Sequence, residues 1–474
     1  MTYSEIRDIV IGKYIERREI KMRDLTAVYQ YIADHRDEFI EELIPLVQHK
    51  SVSMTHDGIK ECAEFLVELM KKNGIDAQMF PLPSEHPVVF GELKCGKENA
   101  KTLLIYGHYD VMPEGPLELW DSNPYDPVVR DGRLWGRGAG DNKGQLFAHI
   151  KAQYVYRKFY DLPCNLKYIF EGEEEQGSPN LLPFIESHKD MLAADLVICS
   201  DAGLHASRRP TIELGLKGIA AFELTCRTLR KPQHSQYAAC APSAAWRMIE
   251  AMSTIKRSEG EILIDGFYDN AVLPTDEELE AVKKLPFDLA DQLADWGTDH
   301  LLVGRKTDDY FYNYMFEPTC NIGCISAGYL DGSKNVDVDE AKVFIDMRLV
   351  PGQYPEDMEV LLKKHLEKRG FGDIEVKLYA KLPASKTPLT NKYVPMVEQA
   401  LRDSFEAEPV VFPSIGGSAP FFMFSDVLGI PWMLIPIATA DQNDHGANEN
   451  LDLECWVKGM KAGTTFIDRM ADVE

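Results

Sequence analysis

The sequence predicts an α/β protein in which a mixed, mostly parallel sheet flanked by helices is interrupted by an inserted α+β unit. Three observations predict it. Up to residue 209, short β-rich runs alternate with stretches at helical spacing, the pattern of a sheet covered on both faces. After Arg208-Arg209-Pro210 the pattern changes to long β-propensity runs at 211–227 and 343–350, accompanied by helical stretches. From about Pro388 the alternation of strand and helix resumes. The simplest account is one α/β domain built from residues 1–209 and 385–474, with residues 210–384 inserted.

Each element has a local reason. Leu25, Val28, Tyr29, Ile32, Phe39, Leu43, Leu46 and Val47 fall mostly at helical spacings and predict an amphipathic helix over 24–50. A second covers 59–73, where Asn73-Gly74 supplies the stop. Strands are expected at 88–93, 102–106, 166–170 and 196–199, with a helix at about 144–160. The inserted unit should carry helices near 242–254 and 355–369 and a strand at 374–380. Strands at 410–412 and 432–437 and a helix at 452–470 complete the first domain.

Composition removes several classes of function. Among 474 residues, 51 Lys and Arg stand against 76 Asp and Glu, and the net charge of -25 repels phosphate backbones and anionic membranes. Nucleic acid and membrane partners are therefore not expected. Apolar stretches such as 431–438 fall far short of the ~20 residues of a membrane helix, and Met-Thr-Tyr-Ser-Glu-Ile-Arg-Asp offers no apolar signal region. The nine cysteines are scattered, with Cys320 and Cys324 the one close pair, which is no disulfide framework. A cytoplasmic protein with small buried cysteines is expected.

The chemistry-bearing residues stand where α/β strands end. Leu103-Leu104-Ile105-Tyr106-Gly107-His108-Tyr109-Asp110 sets a His and an Asp two apart beyond a buried strand. Gly136-Arg137-Gly138-Ala139-Gly140-Asp141-Asn142-Lys143-Gly144 presents one carboxylate in a glycine-dense loop, in the wrong register for a Walker loop. Phe170-Glu171-Gly172-Glu173-Glu174-Glu175-Gln176-Gly177-Ser178 is an acidic cluster directly after an apolar strand, costly there without a cation. Ile198-Cys199-Ser200-Asp201 and Asn443-Asp444-His445-Gly446 add a carboxylate and an imidazole. His108, Asp141, Glu175, Asp201 and His445 are ligands of the kind Zn²⁺ accepts, and to a degree Mn²⁺ or Co²⁺. Two divalent ions sharing one bridging carboxylate would use all five, and a free carboxylate must then take the proton of an activated water.

These ordered motifs resemble the dinuclear metallopeptidases of family twenty, which include carnosine-type dipeptidases, glutamate carboxypeptidases, aminoacylases and desuccinylases. The resemblance covers nearly the whole chain. It implies that Asp141 bridges two metals, that His108 and Asp201 complete one and Glu175 and His445 the other, and that Glu174 is the general base. Asp110 would orient His108, and Glu171 and Glu173 would be supporting or exposed acids. Asn142 departs from a second Asp common at that position. The inserted unit resembles the family's lid or dimerisation domain, which implies a homodimer. In it His234 would steady an oxyanion, often across to the partner subunit, and Arg348 would grip a substrate carboxylate. Asn335, Gly417 and Ser418 resemble groups on the substrate side. Ser418, His445 and Asp444 are no nucleophilic triad, since no Gly-x-Ser-x-Gly elbow surrounds Ser418.

The expected function is metal-dependent hydrolysis of an amide bond in a small substrate with a free carboxylate, foremost a dipeptide or short peptide. An N-acyl-amino-acid amidohydrolase is the alternative. A non-catalytic relative would lack a ligand or the base, and the sequence lacks neither.

Overall fold

The computed structural model describes residues 23–302, 306, 307, 309–329, 332 and 334–473; the opening segment without an apolar run lies outside them. The spacing over residues 24–50 yields two helices, Thr26–Asp34 and Arg36–Gln48. The chain bends at His35, whose backbone leaves helical values at φ -107, ψ 16 and whose ring stacks on Tyr31.

Eight strands form the central sheet, in the order Asp76–Phe80, Val88–Leu93, Asn165–Glu171, Thr102–His108, Leu196–Cys199, Trp432–Leu434, Thr211–Glu213 and Val410–Phe412. The four inner strands from Asn165–Glu171 to Trp432–Leu434 run parallel. Antiparallel pairs join the outer strands to them, so the sheet is mixed and mostly parallel. Being covered on both faces, the inner strands read as unbroken apolar runs such as Leu196–Cys199, buried throughout. One face packs on Ile59–Lys72, Lys143–Phe159, Val394–Phe405 and Leu453–Arg469 through Leu66, Phe147, Leu401 and Trp456. The other packs Tyr106, Cys199 and Leu434 against Leu181–Ser187 and the Phe421–Phe424 stretch.

A second, four-stranded antiparallel sheet orders Thr319–Ala327, Glu340–Leu349, Gly218–Arg227 and Glu375–Leu382. Helices Ala244–Ser253 and Pro355–Lys368 close one of its faces through Met248, Leu362 and Leu366. The alternating burial of Glu340–Leu349 records that single packed face.

The run 211–227, expected as one β-rich stretch of the inserted unit, is divided. Thr211–Glu213 belongs to the central sheet and Gly218–Arg227 to the second. Between them Gly215–Leu216 pairs with Ser385–Lys386, so the outgoing and returning chains are clamped together. Within the inserted unit sequence reading also passes over three helices, Asp276–Val282, Leu289–Trp296 and Tyr310–Phe316. The first has a legible start: Thr275 and Glu278 form a reciprocal capping box.

Candidate metal centre

Neighbouring parallel strands deliver the cluster at their carboxyl ends. His108 ends Thr102–His108, Asp201 lies two residues beyond Leu196–Cys199, and Glu174 and Glu175 follow Asn165–Glu171. Asp141 sits two residues before the helix Lys143–Phe159, and its peptide bond to Asn142 is cis. His445, at φ 58, comes from the loop between Trp432–Leu434 and Asn450–Asp452.

Two triads result, His108, Asp141 and Asp201, and Asp141, Glu175 and His445, each with ligand atoms within 4.8 Å of one another. Asp141 is common to both and divides its oxygens between them. Its Oδ1 lies 3.0 Å from His108 Nε2 and its Oδ2 3.2 Å from His445 Nε2. Glu175 Oε2 approaches His445 Nε2 at 3.0 Å, and Asp201 Oδ2 is 3.8 Å from His108 Nε2. His108 Nε2 is buried and makes no hydrogen bond despite these close oxygens. Atoms that converge without bonding one another suit a shared cation, and two such groups of imidazole and carboxylate fit a pair of divalent ions.

The electrostatics agree. Burial, reinforced by Asp141, lifts Asp201 to about 6, and burial raises Glu175 and, strongly, Glu174. The close carboxylates of Asp141 and Glu175 push His445 up to about 11. Asp141 is lowered by the two imidazoles despite its burial. This is the signature of an acidic cluster that holds positive charge.

Asp110 does more than face His108. Its Oδ1 lies 3.4 Å from His108 Nδ1. Its two oxygens also accept the backbone N–H groups of Glu174 and Glu175, at 3.2 Å each. One buried carboxylate thus orients the imidazole and the turn that carries the two glutamates. Glu171 and Glu173 are buried, which excludes the exposed alternative for them. Glu171 accepts from the Tyr106 and Ser178 hydroxyls, and Glu173 from Asn180.

A set of residues that motif reading left without a role holds the Asp141 loop. Glu449 accepts from Arg137 at 2.8 Å, from the N–H of Gly138 and of Gly140 at 3.0 Å, and from that of Asp141 at 2.9 Å. A Cβ at Gly140 would lie 2.3 Å from Gln442 Oε1 and 2.9 Å from the Asn450 carbonyl, so no larger residue fits there. Asn142, where an Asp is common, donates to the Ser200 carbonyl at 2.6 Å, a bond for which an amide is needed. Gln145 donates to the Gly140 and Ala202 carbonyls, tying the Asp141 loop to the one that carries Asp201. Glu449 lies four residues beyond His445, and proximity to that motif was the available signal.

The remaining expected residues form two other groups. Arg348 Nη1 donates to Ser418 Oγ at 2.9 Å and also lies 3.4 Å from Asp346. The Gly417 carbonyl accepts from Lys217 N at 2.8 Å, so the start of the strand Gly218–Arg227 and the Gly416–Gly417–Ser418 loop meet. His234 and Asn335 are exposed neighbours on the second unit, where His234 pairs with Val336 and the Asn335 carbonyl accepts from Ser235 N. Among the described residues neither bonds to the acidic cluster. Ser418 is held by Arg348 and not by His445, in keeping with the absence of a triad.

Comparison with known proteins follows this geometry. The human Beta-Ala-His dipeptidase is 27% identical over 95% of this chain and 93% of that protein. The Cys-Gly metallodipeptidase dug1 of Schizosaccharomyces pombe is 29% identical over 95% of this chain and 99% of its own. Among solved structures, an M20 family metallo-carboxypeptidase from Sulfolobus solfataricus superimposes with a TM-score of 0.84 at 34% identity, covering 92% of this chain and 99% of that one. Human carnosine dipeptidase 1 follows at 0.74 and 27%, covering 95% of this chain and 100% of its own. The sequence model for peptidase family M20/M25/M40 matches residues 104–469, from the strand that bears His108 to the last helix. The chain therefore belongs to peptidase family M20/M25/M40 and is a hydrolase of peptide C–N bonds.

Proposed function

We propose that this protein is a metal-dependent dipeptidase or short-peptide exopeptidase whose substrate carries a free carboxylate. The observation that carries the reading is the pair of triads sharing Asp141, with Glu174 beside them. Relatives that align over nearly their whole length are named for dipeptides, which favours a peptide over an N-acyl amino acid. His108 and Asp201 would hold one ion and Glu175 and His445 the other, with Asp141 between; Zn²⁺ suits the donors best, and Mn²⁺ or Co²⁺ also fits. Such ions supply activation of a water and polarisation of the scissile carbonyl.

The chain's own residues do the rest. Glu174 accepts the proton of the attacking water and returns it to the departing amine nitrogen. Asp110 keeps Glu174 in reach by holding its backbone N–H. Arg348 and Ser418 bind the substrate carboxylate, the guanidinium through two parallel donors, with Gly417 as a polar neighbour, while Asn335 stands beside His234 as a further polar group on the substrate side. His234 steadies the developing oxyanion; exposed on the second unit, it reaches the reaction by closure or from the partner subunit of a homodimer. The test is hydrolysis of a mixed dipeptide and N-acyl-amino-acid library by metal-stripped protein refilled with Zn²⁺, Mn²⁺ or Co²⁺. Metal-dependent cleavage of dipeptides is expected; cleavage of N-acyl compounds alone would move the protein to the amidohydrolases. Mixing inactive His234→Ala and Glu174→Gln protomers should restore part of the activity if His234 acts across a dimer, and no restoration would place it in its own protomer.

A further inference from the structure

Glu213 ends the strand Thr211–Glu213, directly across from Leu434. Its neighbour Ile212 packs under the long helices, so strand alternation turns Glu213 to the opposite face. That face carries Tyr106, Cys199 and Leu434, and His108 follows Tyr106 along it. Two strand spacings, roughly 10 Å, separate Glu213 from the strand that leads to Asp201.

The carboxylate is 7 % exposed, and its Oε2 is buried without a hydrogen-bond partner. Among the described residues no cation pairs with it. Burial pushes its pKa up to about 8, and the charge that adds to this is that of Asp201, a second acid. Arg209 and Lys217, the nearest bases along the chain on either side, give their donors to backbone carbonyls instead, those of Glu408 and Pro409 and that of Glu317. The Tyr314 phenol senses the Glu213 carboxylate, and Tyr314 lies so close to Gly416 that a Cβ there would come within 2.6 Å of its ring. Glu213 thus lies within electrostatic reach of a metal ligand and of the residue that packs on the Gly416–Ser418 loop. A buried acid that bonds nothing costs stability and holds no part of the fold together.

We infer that Glu213 receives a protonated amine of the substrate, either the α-ammonium of the first residue or an ammonium in its side chain. The inference rests on the peptidase reading. In that reading a zwitterionic dipeptide meets Arg348 and Ser418 with its carboxylate and Glu213 with its ammonium, and desolvation makes the charge pair selective.

The test compares wild type, Glu213→Gln and Glu213→Met as Zn²⁺-refilled holoenzymes on Ala-Ala, N-acetyl-Ala-Ala, Lys-Ala and N-acetyl-Lys-Ala. Where an acetylated compound is not turned over, its Ki against Ala-Ala hydrolysis replaces KM. Capture of the α-ammonium predicts at least a ~10-fold fall in kcat/KM for Ala-Ala and Lys-Ala, with the acetylated pair unchanged. Capture of a side-chain ammonium predicts the same fall for Lys-Ala and N-acetyl-Lys-Ala, with Ala-Ala unchanged. An equal fall on all four compounds, or none, overturns the inference while leaving the peptidase reading in place. A wild type that cleaves no dipeptide overturns both. Because the acid has no bonding partner to strand, both variants should melt no lower than wild type, and Met adds no polar group to bury.

Discussion

Replacing Glu449 by Gln asks whether the Asp141 loop is held from behind. Oε1 of Glu449 accepts the N–H groups of Gly140 and Asp141, and Oε2 accepts that of Gly138 and Arg137 Nη1. Every partner is a donor. A carboxamide turned either way therefore sets its NH₂ against two donors and strands them, at about 1–3 kcal/mol each. It also removes the charge opposite Arg137, which is 1 % exposed, and breaking a buried pair costs about 3–5 kcal/mol. These terms overlap, so the expected loss is about 4–6 kcal/mol, a large share of the 5–15 kcal/mol that a folded protein typically holds. Asp141 serves both triads and its own N–H is one of the four bonds, so the affinity for both ions should fall about 10–100-fold. Thermal melts with and without metal, and elemental analysis after dialysis against a weak chelator, read the two effects separately. A variant that melts within about one degree of wild type and keeps both ions would refute the argument.

Three further outcomes are expected. Glu174→Gln should lower kcat by about 10²–10⁴ with metal content unchanged, since Glu174 belongs to neither triad; loss of metal by elemental analysis would make it a ligand instead. Arg348→Ala should raise KM for free dipeptides about 10–100-fold and leave C-terminally amidated ones unaffected, and equal effects on both would remove Arg348 from carboxylate binding. Glu213 has a folded-state pKa raised from 4.5 to about 8, so the folded state binds the extra proton between these values. Stability should then fall as pH rises through that window, by on the order of a few kcal/mol, and Glu213→Gln should flatten the fall in urea titrations taken at several pH values.

Much of the fold was legible because its period is local. The apolar runs 102–106 and 196–199 become adjacent parallel inner strands, and the spacing over 452–470 becomes the helix Leu453–Arg469 that packs on one face. The break at His35 and the division of 211–227 were not legible, since a one-residue departure from helix and a strand's choice of sheet depend on what packs against them. The helix Asp276–Val282 could have been found from its capping box. Leu289–Trp296 and Tyr310–Phe316 are short, and the aromatic contact of Trp296 on Tyr310 joins residues of different helices.

For the candidate site, the sequence by itself determined the candidate donor types and their order, because divalent metals draw on few donor types, here His, Asp and Glu, and strand ends restrict where they stand. It could not decide which carboxylates face one another. That required His108 and His445, 337 positions apart, to meet on the two oxygens of Asp141. Tertiary structure alone gave Glu449 its four donors and left Glu213 with none. Both are single glutamates in unremarkable local sequence. What separates them is the set of groups that the folded chain brings within bonding distance, a property no window of residues contains.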